Sequence, residues 1–216
     1  MPSEVELGTR AYELACALFR IPRSLVSRAN TQTNDILCSE ISAPVTRIKI
    51  PSGTDVDGWT VPHEWNLIHA SLRDQNGVEY LDLQSSSLYV VVGSRPCDLH
   101  ISRSDLEAHL HSIPELPTAI PYVTNYYGSG WGLCLPQNVR DVLPDGDFHV
   151  TIHVEEDPGH LELLEVVVPG RRSEEVFFAT YNCHPQLANN ELSGPVVWIQ
   201  LLSYVKQLSI EGSLQY

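Results

Sequence analysis

The sequence predicts an α/β protein with a β-rich centre. Three features carry that expectation. A strand, a polar loop and an apolar helix follow one another between Glu175 and Gln207. Short alternating or apolar runs separated by turn residues fill the stretch from Val45 to about Ile152, and an amphipathic helical pattern opens the chain.

In order, Ser3 with Glu6 fits a capping box, and Val5, Leu7, Ala11, Leu14, Ala15 and Leu18 form an apolar stripe that Pro22 stops. A second short helix is expected over Asn34 to Ile41. The runs Thr46–Ile50, Tyr80–Leu83, Ser87–Val92 and Phe148–Ile152 read as strands, with turns at Pro51-Ser52-Gly53, Asp74–Gly77 and Pro144-Asp145-Gly146. His149–Val154 and Leu161–Val168 look like a hairpin across Glu155–Gly159, and Pro169–Arg172 turns the chain into the next strand. That strand is expected to be buried, because Val176, Phe177, Phe178 and Ala179 form the continuous apolar run of a sheet covered on both faces. Ser193 is a candidate cap with Pro195 at a first helical position. The following helix, from Val196 to Leu208, is apolar enough to be buried on more than one side.

With 216 residues and 43% apolar content the chain can bury a sizeable core. No run approaches the roughly 18 apolar residues of a membrane span, and Ser3-Glu4-Val5-Glu6 is unlike a signal peptide, so a soluble, cytoplasmic protein is expected. Five widely spaced cysteines without a C-x-x-C pair fit reduced thiols. The net charge of −14 disfavours nucleic acid and anionic membrane as partners.

Ligands in open α/β sheets bind in loops leaving the carboxyl ends of strands. The loop after the expected strand gathers His184, Asn189, Asn190 and Glu191, which makes metal chemistry the first functional expectation. Other constellations have blander readings. Neighbours on a strand point to opposite faces, so Cys183 and His184 would not pair as nucleophile and base, and a buried structural cysteine is favoured. His149 and His153 share a strand face but lie roughly 13 Å apart, too far for one metal. His109 and His111 follow a helix start at Ser104–Glu107 and diverge, and Trp59, Trp65, Tyr126, Tyr127 and Trp131 read as the core of a small β domain before they read as a recognition surface.

Several blocks resemble a family of zinc-peptidase-like proteins related to the zinc aminopeptidases. They are Pro51–Thr54 with Trp59–Asn66, His109–Ser112, Ile120–Tyr122 with Asn125–Tyr127, Trp131–Leu135, and Cys183-His184-Pro185 with Ala188–Gly194. The resemblance implies a mixed sheet flanked by helices, as in zinc exopeptidases, with an inserted β-rich domain. The expected division is a helical part over 1–45, the insertion over 46–152 and a return to the peptidase-like domain over 153–216. It also implies zinc as cofactor, a peptide or small amide as substrate, and hydrolysis at an N-terminal peptide bond. His184 falls on the motif histidine. Position 190 falls where relatives place a metal-bridging aspartate, but here it is Asn190, whose neutral amide is a poor bridge between two dications. Glu191 then becomes the second candidate ligand and Asn190 an orienting group behind it. The family's remaining ligands and general base lie downstream of the last helix, so these residues are expected to form the N-terminal half of such an enzyme and to be inactive by themselves. The alternative is a non-catalytic peptide-, glycan- or protein-binding module with a vestigial metal loop. An uncovered sheet edge would favour a homo-oligomer.

Overall fold

Two helices open the chain: α1 (Glu4–Phe19) and α2 (Arg28–Glu40). The strands β1 (Thr46–Pro51), β2 (Asp55–Val56), β3 (Trp59–Thr60), β4 (Glu64–Asp74) and β5 (Cys97–Ser102) follow. Then come α3 (Arg103–Leu106), β6 (Leu110–His111), β7 (Leu133–Cys134), α4 (Gln137–Arg140), β8 (Asp147–Asp157), β9 (His160–Glu165) and α5 (Ser193–Ile210). The structure is a computed structural model that describes residues 4–170, 172 and 174–210. Ser3, expected to cap α1, and Arg171, expected in a turn, lie outside the described residues.

The chain divides into two compact units, residues 1–64 with 158–216 and residues 65–157. The first boundary falls later than the expected 45/46 because β1 pairs antiparallel with β9, from Thr46 opposite Glu165 to Pro51 opposite His160. The same pairing removes the expected hairpin between residues 149–154 and 161–168, since β8 pairs with β5 instead. The connector is pinned at Gly159, whose N–H donates to Ser52 Oγ (3.0 Å) and whose C=O accepts from Ser52 N–H (2.9 Å). A Cβ at Gly159 would stand 2.2 Å from Glu64 Cγ, so any larger residue there would have to displace the Glu64 side chain.

In the first unit, Leu14 and Leu18 of α1 and Leu37 of α2 pack with Leu192, Val196 and Ile199 around α5. The 192, 196, 199 spacing is one helix face. Val197 and Tyr204 are exposed, so α5 is buried on one side rather than on several. The strand ribbon carries a polar hub. Alternation places Arg47 and Lys49 on one face of β1. Arg47 grips Glu162 with Nε to Oε1 (2.9 Å) and Nη2 to Oε2 (2.8 Å), Lys49 Nζ stands 3.7 Å from Oε1, and Asn34 Nδ2 donates to Oε2 (3.1 Å). Burial pushes the Glu162 carboxyl up, but the Arg47 and Asn34 hydrogen bonds and the charges of Arg47 and Lys49 outweigh it and leave the group below the ordinary glutamate value. A carboxyl depressed in the folded state stabilises above its unfolded pKa and loses that contribution as pH falls through the folded value. Urea titrations below about pH 4 are therefore expected to show a steeper loss of stability in wild type than in Glu162→Gln. Parallel curves would contradict the hub.

The second unit is built on the sheet β4-β8-β5. Strict alternation along β8 buries Phe148, Val150, Ile152 and Val154 against Ala70 and Leu72 of β4, with Leu106, Leu110, Leu133 and Leu135 completing the core. Trp65 and Trp131 pack against this core, as the aromatic content suggested, while Tyr127 is exposed. Residues 80–83 and 87–92 do not form the expected strands. Asp82 Oδ1 accepts from the N–H groups of Gln84 and Ser85 (both 3.2 Å), and Ser87–Tyr89 is a short 3-10 turn capped by Ser86, local bonds that compete with a ladder.

The largest departure concerns the expected buried strand at Val176–Ala179. Val176, Phe177 and Phe178 are 62%, 87% and 58% exposed and belong to no strand. Extended residues become a strand only against a partner's N–H and C=O groups, and no described segment supplies them. A single mixed sheet flanked by helices is accordingly not formed among the described residues, where the sheets have two or three strands. What the structure shows is a mixed α/β arrangement of small sheets and helices.

Candidate metal-binding loop

The loop between Thr180 and α5 is the place where the expected site residues meet. Its entry is fixed by close packing, since a Cβ on Gly194 at the start of α5 would stand 2.1 Å from Thr180 Oγ1. Pro185 is buried and Gln186 turns the chain with φ +52°, a left-handed conformation costly for a non-glycine residue. One π-helical turn, Ala188–Leu192, then leads into α5. Ser193 is not the cap of that helix, because its hydroxyl donates back to the Asn189 carbonyl (2.5 Å) from within the helix.

The π-turn carries Glu191 inward, fully buried. Its Oε2 accepts from the His184 backbone N–H (3.0 Å) and its Oε1 from Asn190 Nδ2 (2.9 Å). Asn190 is itself exposed, and its Oδ1 accepts from Tyr181 OH (3.3 Å). The His184 imidazole, 24% exposed, brings Nε2 to 3.7 Å from Glu191 Oε1. The structure thus unites His184, Glu191 and Asn190, while Asn189 contributes through its backbone carbonyl.

Zinc ligands of these types sit about 2.0–2.2 Å from the ion, so two of them at a tetrahedral angle lie roughly 3.4 Å apart. The separation of His184 Nε2 and Glu191 Oε1 is a few tenths of an ångström wider, and a carboxylate oxygen accepting one hydrogen bond keeps a second lone pair. The pair therefore fits two positions on one ion. Among the described residues no third His, Cys, Asp or Glu joins them in a metal-holding group. Cys183, the neighbour, has its thiol pushed up by burial and by the Glu191 charge, which disfavours thiolate and with it both ligation and nucleophilic attack. All five cysteines are free thiols.

Elsewhere the histidines are occupied differently. His149 Nε2 bonds Asp98 Oδ1 (2.6 Å) and its ring stacks on His100, with centroids 4.6 Å apart. His109 stacks on Trp131 at 3.9 Å, and His111 lies on β6.

The loop has supports that sequence reasoning did not single out. Arg23, fully buried, donates from Nε to the His184 carbonyl (3.1 Å) and from Nη1 to the Leu18 carbonyl (2.7 Å). Burial pushes its guanidinium down to about 10, against the opposing pull of Glu191 and Cys183. From α2, Asn30 Nδ2 donates to the Asn182 carbonyl (3.4 Å), and Asn34 Oδ1 accepts from Asn182 Nδ2 (3.0 Å). Locally, Arg23 sits in a mixed stretch, Phe19 to Val26, that also holds Arg20 and Ser24, so nothing in it sets a buried arginine apart from a surface one.

Residues 12–214 match the family described as a domain of unknown function, DUF4910. The chain belongs to this family. The DUF4910 match covers both units. Along 98% of its length the chain is 34% identical to a Clostridium acetobutylicum protein described as a "putative polysaccharide biosynthesis protein with aminopeptidase-like domain". It is also similar to the crystal structure of a "putative peptidase" from Clostridium acetobutylicum, with a TM-score of 0.86 and 36% identity over 95% of this chain. The chain spans about half of each, 48% and 47% of their lengths. The similarity supports a peptidase-like kind of protein. No helix among the described residues is long and apolar enough to cross a membrane.

Proposed function

We propose that this chain carries one side of the metal site of an aminopeptidase-like hydrolase, with His184 and Glu191 as two ligands of a zinc ion. The observation that carries the reading is the approach of His184 Nε2 to Glu191 Oε1, 3.7 Å apart in a loop gripped from both sides, in a chain whose relatives are described as aminopeptidase-like and peptidase. When bound, the ion would supply a Lewis acid that polarises the scissile carbonyl and acidifies water. His184 presents its ring from the loop, Glu191 holds the carboxylate beneath it, and Asn190 orients that carboxylate through its amide. With a neutral amide at position 190 the reading is of a single ion rather than a bridged pair. The substrate class is an N-terminal peptide bond or another small amide.

A catalytic zinc takes about three protein ligands and an open position, and two converge here. The 216 residues by themselves are therefore expected to bind zinc weakly and to show no aminopeptidase turnover. Elemental analysis of protein purified without a metal-affinity tag and dialysed against excess zinc tests this. Zinc should be retained in wild type and lost in both His184→Ala and Glu191→Ala, with a panel of aminoacyl substrates left intact. Zinc retained in His184→Ala contradicts the ligand assignment, and chelator-sensitive hydrolysis abolished by His184→Ala contradicts the inactivity.

The exposed run Val176, Phe177 and Phe178 favours a second reading, a non-catalytic module whose apolar segment takes a protein partner or a second copy. Folded protein without zinc, assembling in a manner abolished by Phe177→Ser, would support that reading over the first.

A further inference from the structure

We infer that Arg23 is a positioning residue for His184, acting with Glu191 to hold both backbone dihedrals of that residue. A residue has two soft backbone dihedrals, and its own N–H and C=O lie on either side of its Cα. In His184 both groups are gripped by buried charged side chains. The N–H donates to Glu191 Oε2 (3.0 Å) and the C=O accepts from Arg23 Nε (3.1 Å). Holding both fixes φ and ψ, hence the direction of the Cα–Cβ bond, and leaves only the two side-chain torsions between backbone and imidazole. Metal ligands must be held to about half an ångström.

The planar guanidinium suits this task because its donors are fixed relative to one another. Nη1 is anchored on the Leu18 carbonyl, and α1 with its buried Leu14 and Leu18 anchors that carbonyl in turn. Nη2 has no hydrogen-bond partner among the described residues, although the side chain is fully buried. A role confined to satisfying a carbonyl near the end of α1 would not call for a buried charge placed across 161 residues of sequence onto the His184 carbonyl. This inference rests on His184 being a metal ligand.

The test compares Arg23→Met, Arg23→Lys and Val150→Ala in the whole chain. Val150→Ala serves as a control that lowers stability through the core around β8, to which no residue of the loop belongs. Zinc affinity is measured by competition with a chromophoric chelator, and the His184 ring is followed by its 15N signals in metal-free protein. Arg23→Met is expected to lower zinc affinity roughly 10–100-fold, the usual effect of removing a group that orients a ligand. It should also broaden or split the His184 ring signals. Arg23→Lys should fall between it and wild type, and Val150→Ala should change neither readout. Equal losses of affinity in Arg23→Met and Val150→Ala would overturn the inference, as would unchanged affinity and ring signals in Arg23→Met. If Arg23→Met does not fold, unchanged readouts in Arg23→Lys overturn it instead. Wild type that binds no zinc defeats the metal reading itself, and the positioning role then stands or falls on the ring signals alone.

Discussion

Replacing Glu191 by alanine is expected to destabilise the first unit by about 3–5 kcal/mol, the usual penalty for removing one member of a buried charged network. The carboxylate is fully buried and takes two donors, the His184 N–H and Asn190 Nδ2. Without it the buried backbone donor is left without its acceptor, and the Arg23 guanidinium loses the anion that most offsets its burial. Glu191→Gln keeps one acceptor oxygen but brings an amide donor towards the His184 N–H, so an intermediate loss is expected. Urea unfolding monitored by circular dichroism measures both. A loss below about 1 kcal/mol for the alanine variant would mean that water or a rearranged loop replaces the carboxylate readily.

The second large effect belongs to the other unit. Phe148 is 1% exposed on the buried face of β8, with the Tyr80 ring tilted against it at a centroid distance of 6.1 Å. Truncation removes most of an aromatic side chain from a core that rigid strands on both sides prevent from collapsing. Phe148→Ala should therefore cost about 3–5 kcal/mol, read as a lowered urea midpoint. By contrast, Phe177→Ala is expected to change stability by no more than about 0.5 kcal/mol, because that ring is 87% exposed. A large effect at Phe177 would show that the segment is buried in solution.

The contrast between these two phenylalanines shows where the sequence was legible. Phe148 lies in a run of strict alternation, Phe-His-Val-Thr-Ile-His-Val, and period two fixes which residues face the core. Phe177 lies in a continuous apolar run, which has no face of its own and reports only that a strand would be buried if partners existed. Pairing partners are a property of the whole fold, so β9 reads locally as the return strand of a hairpin although its partner is β1, over a hundred residues upstream. The stripe of α1, apart from the exposed Val5, was readable because its periodicity is local. Arg23, Asn30 and Asn34 were not, since their hydrogen bonds to residues 182–184 span about 150 residues and leave no periodic trace. Glu191 was legible as a chemical candidate, but only the inward turn of the π-helical segment shows that each of its oxygens accepts a hydrogen bond.

The most direct measurement of the central claim is the zinc X-ray absorption spectrum of the zinc-loaded chain. The account predicts a first shell with one imidazole from His184 and otherwise light oxygen donors, including the Glu191 carboxylate, and a weakened imidazole signature in His184→Ala. A sulfur shell near 2.3 Å would instead place a cysteine thiolate on the ion and contradict the assignment of the site to His184 and Glu191.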